Sequence, residues 1–379
     1  MLKFTSQYYE TCATFSILDW DERCGAWMMP RKIWTTFSPT FCDEWFLFVS
    51  LTICKILFFA QLTILSYPKY SISMLKLGIN SAILADFNLE HTVAFAAQHG
   101  FGCVEVMCWP RGNDDARRYA GVSHIDIANL DERKISDIQY TLRTANVSIS
   151  ALGYYPNPLD PDPKKSGSGI EHLKELIRAA AKLSVPVVTT FVGRDPAKNI
   201  ADNLKTFADV WPGIIKVAEE NNIRIAIENC PMFFTNDEWP GGKNLAISPA
   251  VWTKMFEIIP SPLFGLNYDP SHMVWQMMDE VKPIYQFKDR LHHIHLKDVR
   301  VYKDRLDQVG ILANPLEYHS PKLPGLGDVN WRGFFAALTD VRYRGPVVIE
   351  VEDKAYESNI TDVKSAILTS RNFVSQFLG

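Results

Sequence analysis

Four short apolar runs each end on a residue that can bind a metal: Ile-Ala-Ile-Glu228, Gly-Leu-Asn-Tyr-Asp269, His-His-Ile-His295 and Val-Val-Ile-Glu350. Their end points lie 41, 26 and 55 residues apart. In a parallel barrel the C-terminal ends of successive strands converge on one mouth, where that fold keeps its chemistry. Two glutamates, an aspartate and a histidine form a hard oxygen-and-nitrogen donor set. It suits one divalent cation, Mn²⁺ first, with Mg²⁺, Co²⁺ or Zn²⁺ as alternatives. Glu228 and Glu350 can also work as an acid/base pair across a bound sugar. One removes the proton beside a carbonyl, the other returns a proton to the opposite face or the neighbouring carbon, and the cation stabilises the enediolate. A single strand-end glutamate more often pairs with a lysine or caps the next helix. Four ligand types at four strand ends outweigh that blander reading.

Other residues fall near the same ends. In Asp269-Pro-Ser-His272 the aspartate reads as a ligand or a helix cap, and His272 as a substrate-facing group or a first-turn polar residue. His293 and His295 share one face of a strand and His292 takes the other. His295 is nearer the mouth and is the expected ligand, with His293 a buried, hydrogen-bonded residue one layer deeper. Glu352 is in phase with Glu350 and competes for its role. Glu105, Tyr154, Tyr155, Asn157 and Arg194 lie at earlier strand ends as candidate sugar contacts, and Trp109, Trp239 and Trp275 as an apolar wall or simple packing. Pro324-Gly-Leu-Gly-Asp-Val-Asn-Trp331 lacks the lysine and serine of a phosphate loop, so it reads as a shaped loop in which Asp328 or Asn330 starts a helix.

The elements that must position these groups follow from Met74 onward. Strands are expected at 77–80, 102–106, 147–152, 185–191, 223–227, 263–268, 291–296 and 346–351. Helices are expected at 89–98, 135–145, 169–183, 199–220 and 249–258, with a helical stretch after each later strand. Ser248-Pro249 supplies a cap and a first-turn proline for the helix to Ile258. Eight alternations in 306 residues fit a (β/α)8 TIM barrel. The strands are continuous apolar runs, as strands buried on both faces should be. A doubly wound open sheet is disfavoured because Leu-Gly78-Ile-Asn is no dinucleotide-binding glycine motif.

A net charge of −4 gives no electrostatic reason for nucleic acid. The seven cysteines form no C-x-x-C pair and read as reduced thiols in a cytoplasmic protein. Residues 1–73 hold four of them, four tryptophans and no histidine, and read as an N-terminal extension outside the fold, of the kind a misplaced start would add. Within it Trp45 to Leu65 has the length of a membrane span. Lys55 near its middle costs roughly 3 kcal/mol on insertion, and acidic residues precede it, so a membrane role is disfavoured.

Taken together, Ile-Glu228-Asn-Cys, Asn-Tyr-Asp269-Pro-Ser-His272, His-Ile-His295-Leu-Lys-Asp, Pro-Gly-Leu-Gly-Asp-Val-Asn-Trp and Val-Ile-Glu350-Val-Glu-Asp resemble the xylose-isomerase-like sugar phosphate isomerase/epimerase family over residues 74–379. The resemblance implies a single divalent metal on Glu228, Asp269, His295 and Glu350. It implies acid/base roles for Glu228 and Glu350, a substrate contact at His272 and a small-molecule sugar substrate. Barrels of this class often form homo-oligomers. Lys297 stands where ketose epimerases of this type often have another residue, so it is taken as a substrate contact. Keto-glycoside epimerisation or cleavage therefore stays beside ketose epimerisation, with a non-catalytic sugar-binding barrel as a third reading. Apurinic endonucleases look similar in these strands but need histidines that Ala151–Tyr155 and Thr190–Arg194 lack, and after strand seven only Asp304-Arg305-Leu306 appears.

Overall fold

The computed structural model describes residues 75–111, 120–232 and 241–378. The extension 1–73 with its 45–65 segment, Met74 and Trp239 lie outside the described residues. Eight parallel strands close into a barrel in the order β1, β2, β3, β4, β5, β6, β7, β10. They are β1 (Lys76–Asn80), β2 (Cys103–Met107), β3 (Ser148–Gly153), β4 (Val187–Thr190), β5 (Arg224–Glu228), β6 (Phe264–Tyr268), β7 (Leu291–Leu296) and β10 (Pro346–Ile349). The helices between them include α1 (Leu89–Gln98), α2 (Glu132–Ala145), α3 (Pro163–Leu183), α4 (Ile200–Glu220) and α5 (Pro249–Ile258). After β6 and β7 come α6 (Ser271–Val274), α7 (Lys282–Gln286) and α8 (Lys303–Val309), and the barrel is completed by α9 (Trp331–Asp340) and α10 (Ile360–Ser375). The chain is thus a (β/α)8 barrel, as the alternation predicts. Among the described residues no helix is long and apolar enough to cross a membrane.

Strand alternation divides the core. Ile225, Ile227, Leu266, Tyr268, Ile294, Leu296, Val347 and Ile349 pack outward with the helices in one large apolar cluster. The intervening residues point into the barrel, where Ala151, Val187 and Ala226 form a small apolar layer. Above and around it the interior is polar: Asn80, Glu105, Ser150, Thr189, Asn267, His293 and His295 are all buried. Such groups are tolerated only when they are hydrogen-bonded, and this interior carries a connected network.

Three features differ from the sequence expectation. Helix α3 starts at Pro163 rather than Gly169, because Asp162 accepts from the Lys164 amide and Pro163 takes the first turn. Gly167 and Gly169 sit inside it. After β7 the chain also makes an antiparallel hairpin of β8 (Asp298–Val301) and β9 (His319–Lys322). Ser248 occupies the cap position of α5 without a side-chain hydrogen bond.

Asp298 explains the glycine-bearing loop. Buried at the start of β8, it accepts from the amides of Val299, Gly325, Gly327 and Val329 and from Trp331 Nε1 at 2.8–3.2 Å. A Cβ on Gly327 would lie 2.3 Å from Asp298 Oδ1, and Gly325 has φ +90°, so the approach needs glycine at both places. Asn330 then caps α9 by accepting from Gly333 N. Asp298→Ala would strand several of these donors. We expect a loss of about 3 kcal/mol or more in a urea titration; a change below 1 kcal/mol would mean water replaces the carboxylate at little cost.

Candidate functional site

Glu228 is the last residue of β5, Asp269 follows β6, His295 is the penultimate residue of β7 and Glu350 follows β10. Two asparagines fix the first two ends. Asn229 Nδ2 donates to the Asp269 carbonyl at 2.9 Å and the Asp269 amide donates to Asn229 Oδ1 at 2.8 Å. Asn244 Nδ2 donates to the carbonyls of Glu228 and Cys230 at 2.9 and 2.6 Å. The Ser271 amide occupies Asp269 Oδ1 at 2.8 Å, leaving Oδ2 turned to the site.

His295 is held from behind. Its Nε2 lies 2.6 Å from Glu105 Oε2. Glu105 is wholly buried and also accepts from Asn80 at 3.2 Å, Tyr155 Oη at 2.6 Å and the Thr189 hydroxyl. The carboxylate therefore keeps a proton on Nε2 and aims Nδ1 at the mouth. There Nδ1 stands 3.6 Å from Glu228 Oε1 and 3.4 Å from Glu350 Oε2. The ligand atoms of Glu228, His295 and Glu350 all lie within 4.8 Å of one another. His295 Nδ1 is buried and has no hydrogen-bond partner, and Asp269 Oδ2, also buried, faces the Lys297 ammonium at 2.9 Å and His272 Nε2 at 3.2 Å. A ring nitrogen facing two carboxylates needs positive charge between them, supplied by a proton on Nδ1 or by a metal cation in its place. The residues present therefore fit a divalent metal, with hard oxygen donors and one imidazole.

Lys297 is the basic member of the cluster. Its Nζ lies 2.7 Å from Glu350 Oε2, 2.9 Å from Asp269 Oδ2, 3.0 Å from Glu352 Oε2 and 3.9 Å from Glu228 Oε1. Four carboxylates and one ammonium leave a formal charge of −3, so a divalent cation still brings the site only to −1. Burial alone would raise the carboxyls. Lys297 and His295 outweigh it at Glu350, holding it down at about 2; the nearby His272 and His295 rings, with Lys297, hold Glu228 below the ordinary range. Both are ionised at neutral pH. Burial alone would lower Lys297 and His295. Asp269 and Glu350 push Lys297 well up, and Glu105 and Glu350 do the same for His295.

His272 Nε2 lies 3.2 Å from Asp269 Oδ2 and 3.6 Å from Glu228 Oε1. Burial works against its charged form, while Cys230 and Asp269 push it up, to about 10. Against that, the Trp275 indole N–H donates to His272 Nδ1 at 3.2 Å, and an imidazolium has no lone pair there to accept it. The hydrogen bond is the sharper constraint, because the indole can only donate. It also counts against Glu228, Cys230 and His272 as a second metal cluster through Nε2, although their donor atoms lie within 4.8 Å of one another.

Of the remaining candidates, Tyr155 reaches Glu105 behind His295. The Arg194 guanidinium donates to the carbonyls of Gly241 and Lys198, tying loops together. His293 bonds Asn267 Oδ1 at 2.9 Å and Ser150 Oγ at 3.2 Å inside the barrel. Sequence reasoning missed Asn229, Asn244 and Cys230. Only their closeness to Glu228 at a strand end could have flagged them.

Burial pulls His292, His293 and His319 down to about 4. An unfolded histidine titrates near 6.5, so between pH 6.5 and 4 the unfolded chain binds more protons than the folded one. Stability therefore falls as pH drops through that window, by on the order of 1 kcal/mol per pH unit for each histidine. Melting curves of metal-free protein should show the decline, shallower in His319→Gln. A flat profile down to pH 4.5 would contradict it.

A family model described as xylose isomerase-like TIM barrel matches residues 93–372. The protein YfiH of Bacillus subtilis strain 168 is 26% identical over 306 residues, 74% of this chain and 93% of that protein. The L-ribulose 3-epimerase of Methylomonas sp. strain DH-1 is 25% identical over 257 residues, 65% of this chain and 78% of that enzyme. An inosose dehydratase of Clostridium perfringens is 28% identical over 102 residues, 26% of this chain and only 34% of that enzyme. Among solved structures, the IOLI protein with a bound zinc atom superposes with a TM-score of 0.59 at 17% identity, over 80% of this chain and 99% of that one, which shows a shared fold.

Proposed function

Because the chain belongs to the xylose isomerase-like TIM-barrel family, we propose that it is a divalent-metal-dependent isomerase or epimerase of a sugar or sugar derivative, a ketose or a keto-glycoside. The observation that carries this is the approach of Glu228 Oε1 and Glu350 Oε2 to the unpartnered His295 Nδ1, at 3.6 and 3.4 Å. The match to an L-ribulose 3-epimerase supports it. Glu228, Asp269, His295 and Glu350 would hold the metal, which when bound supplies the positive charge that polarises a substrate carbonyl. Glu228, ionised and buried, takes the proton from the carbon beside that carbonyl. Glu350, ionised but with 17% of its side chain exposed toward the mouth, takes up a proton from solvent and delivers it to the other face or the adjacent carbon, while Glu228 later gives its own proton back to water. His272 Nε2–H and the Lys297 ammonium donate to substrate oxygens. Glu105 and Tyr155 keep His295 in the required orientation.

The partial match to an inosose dehydratase favours a second reading, in which the same carbanion expels a neighbouring oxygen as water or an aglycone. Product analysis separates the two, because elimination releases a fragment and epimerisation does not. The metal itself is tested by isothermal titration. Wild type should bind one divalent ion per chain, and Glu105→Gln should weaken binding about 10–100-fold by loosening His295. No binding in the wild type would remove the metal-dependent reading; unchanged affinity in Glu105→Gln would remove the bracing role.

A further inference from the structure

We propose that Trp275 is a positioning residue that keeps the proton of His272 on Nε2, and that the β8–β9 hairpin holds Trp275 in place through His319. This rests on the reading of His272 as a substrate-facing donor. The Trp275 indole N–H donates to His272 Nδ1 at 3.2 Å, and tryptophan has no other role in a hydrogen bond than donor. Nδ1 must then carry a lone pair, so the proton of the neutral ring sits on Nε2. That nitrogen is buried, lacks a hydrogen-bond partner and faces Asp269 and Glu228 at 3.2 and 3.6 Å. With a cation on those carboxylates, Nε2–H is left to donate to a substrate oxygen.

The indole is itself clamped. Trp275 is 5% exposed, and its ring lies on His319 with centroids 4.8 Å apart and planes 5° from parallel. His319 is fixed in turn by its Nδ1–H, which donates to the Pro315 carbonyl, and by the pairing of β9 with β8. β8 begins immediately after Lys297. Gln276 Nε2 adds a bond to the His272 carbonyl at 2.6 Å, fixing the backbone that carries the ring. One loop thus supplies the lysine of the site and braces its substrate-facing histidine.

The test is long-range proton–nitrogen NMR of the full chain with nitrogen-15 in its histidines, at one near-neutral pH, in zinc-loaded and metal-free protein. His272 is assigned by its loss in His272→Asn. The wild type should show a pyridine-like Nδ1 and a protonated Nε2 in both forms. Trp275→Phe keeps an aromatic ring on His319 but loses the N–H; it should give a mixture of tautomers and about a tenfold lower kcat, with KM and zinc affinity little changed. His319→Phe keeps the stack and should keep the wild-type signal. A protonated Nδ1 in the wild type overturns the proposal, and so does a Trp275→Phe protein with an unmixed Nε2–H signal. If Trp275→Phe does not fold, the wild-type spectrum alone decides. Failure to take up zinc would count against the metal-dependent reading and leaves the tautomer readable in the metal-free spectrum.

Discussion

Glu350→Gln and Glu228→Gln should each lower turnover by at least about a thousandfold with the barrel intact. General acid/base catalysis by one positioned group is worth about 10²–10⁴, and each of these residues is also placed to hold the metal. Glutamine matches the shape of glutamate but neither accepts a proton at neutral pH nor ligates as a carboxylate. The fold should survive, because Lys297 keeps Asp269 and Glu352 within 2.9 and 3.0 Å when Glu350 is neutralised. Circular dichroism and melting would confirm the fold while turnover is followed by product formation. Near-normal activity in both variants would sink the acid/base pair.

Lys297→Met should have the largest effect on stability. The ammonium is 3% exposed and stands within 4 Å of four carboxylates. Removing one partner of a buried ion cluster costs about 3–5 kcal/mol, because the remaining charges lose their compensation. In EDTA the variant should therefore unfold at distinctly lower urea concentration than wild type. Added Mn²⁺ or Zn²⁺ should recover most of the loss by placing positive charge on the same oxygens. Equal stability of the two proteins in EDTA would show that the carboxylates do not depend on Lys297.

The barrel and the four convergent ligand types were legible because both follow local rules. Buried parallel strands are short apolar runs, and in this chain four of them stop on a carboxylate or an imidazole. The period-2 alternation of β7 also turns His293 and His295 to the barrel interior and His292 away from it, and the rise along the strand sets His295 nearer the mouth. What the sequence hid depends on distant pairings. Glu105 and His295 are 190 residues apart, so nothing local marks Glu105 as the brace of a histidine rather than a sugar contact. Arg194 reads as a sugar contact at a strand end, yet it is 8% exposed and donates to loop carbonyls. The β8–β9 hairpin was missed because His319-Ser-Pro-Lys322 has neither the alternation nor the β-branched residues of a strand. Its pairing with β8 and the Asp298 contacts to the 324–331 loop join residues well separated in the sequence. Trp275 reads as an apolar wall or simple packing, since a sequence does not show where an indole N–H points.

The measurement that most directly tests metal-assisted enolisation is solvent exchange. The full chain, loaded with Mg²⁺ or Zn²⁺ and shown to hold the ion, is incubated in D₂O with a panel of ketoses and 3-keto-glycosides while proton NMR follows the carbon beside the carbonyl. Loss of that proton signal, abolished by EDTA and by Glu228→Gln, is the expected result. An undiminished signal across the panel, in protein that holds its metal, would contradict proton abstraction at this site.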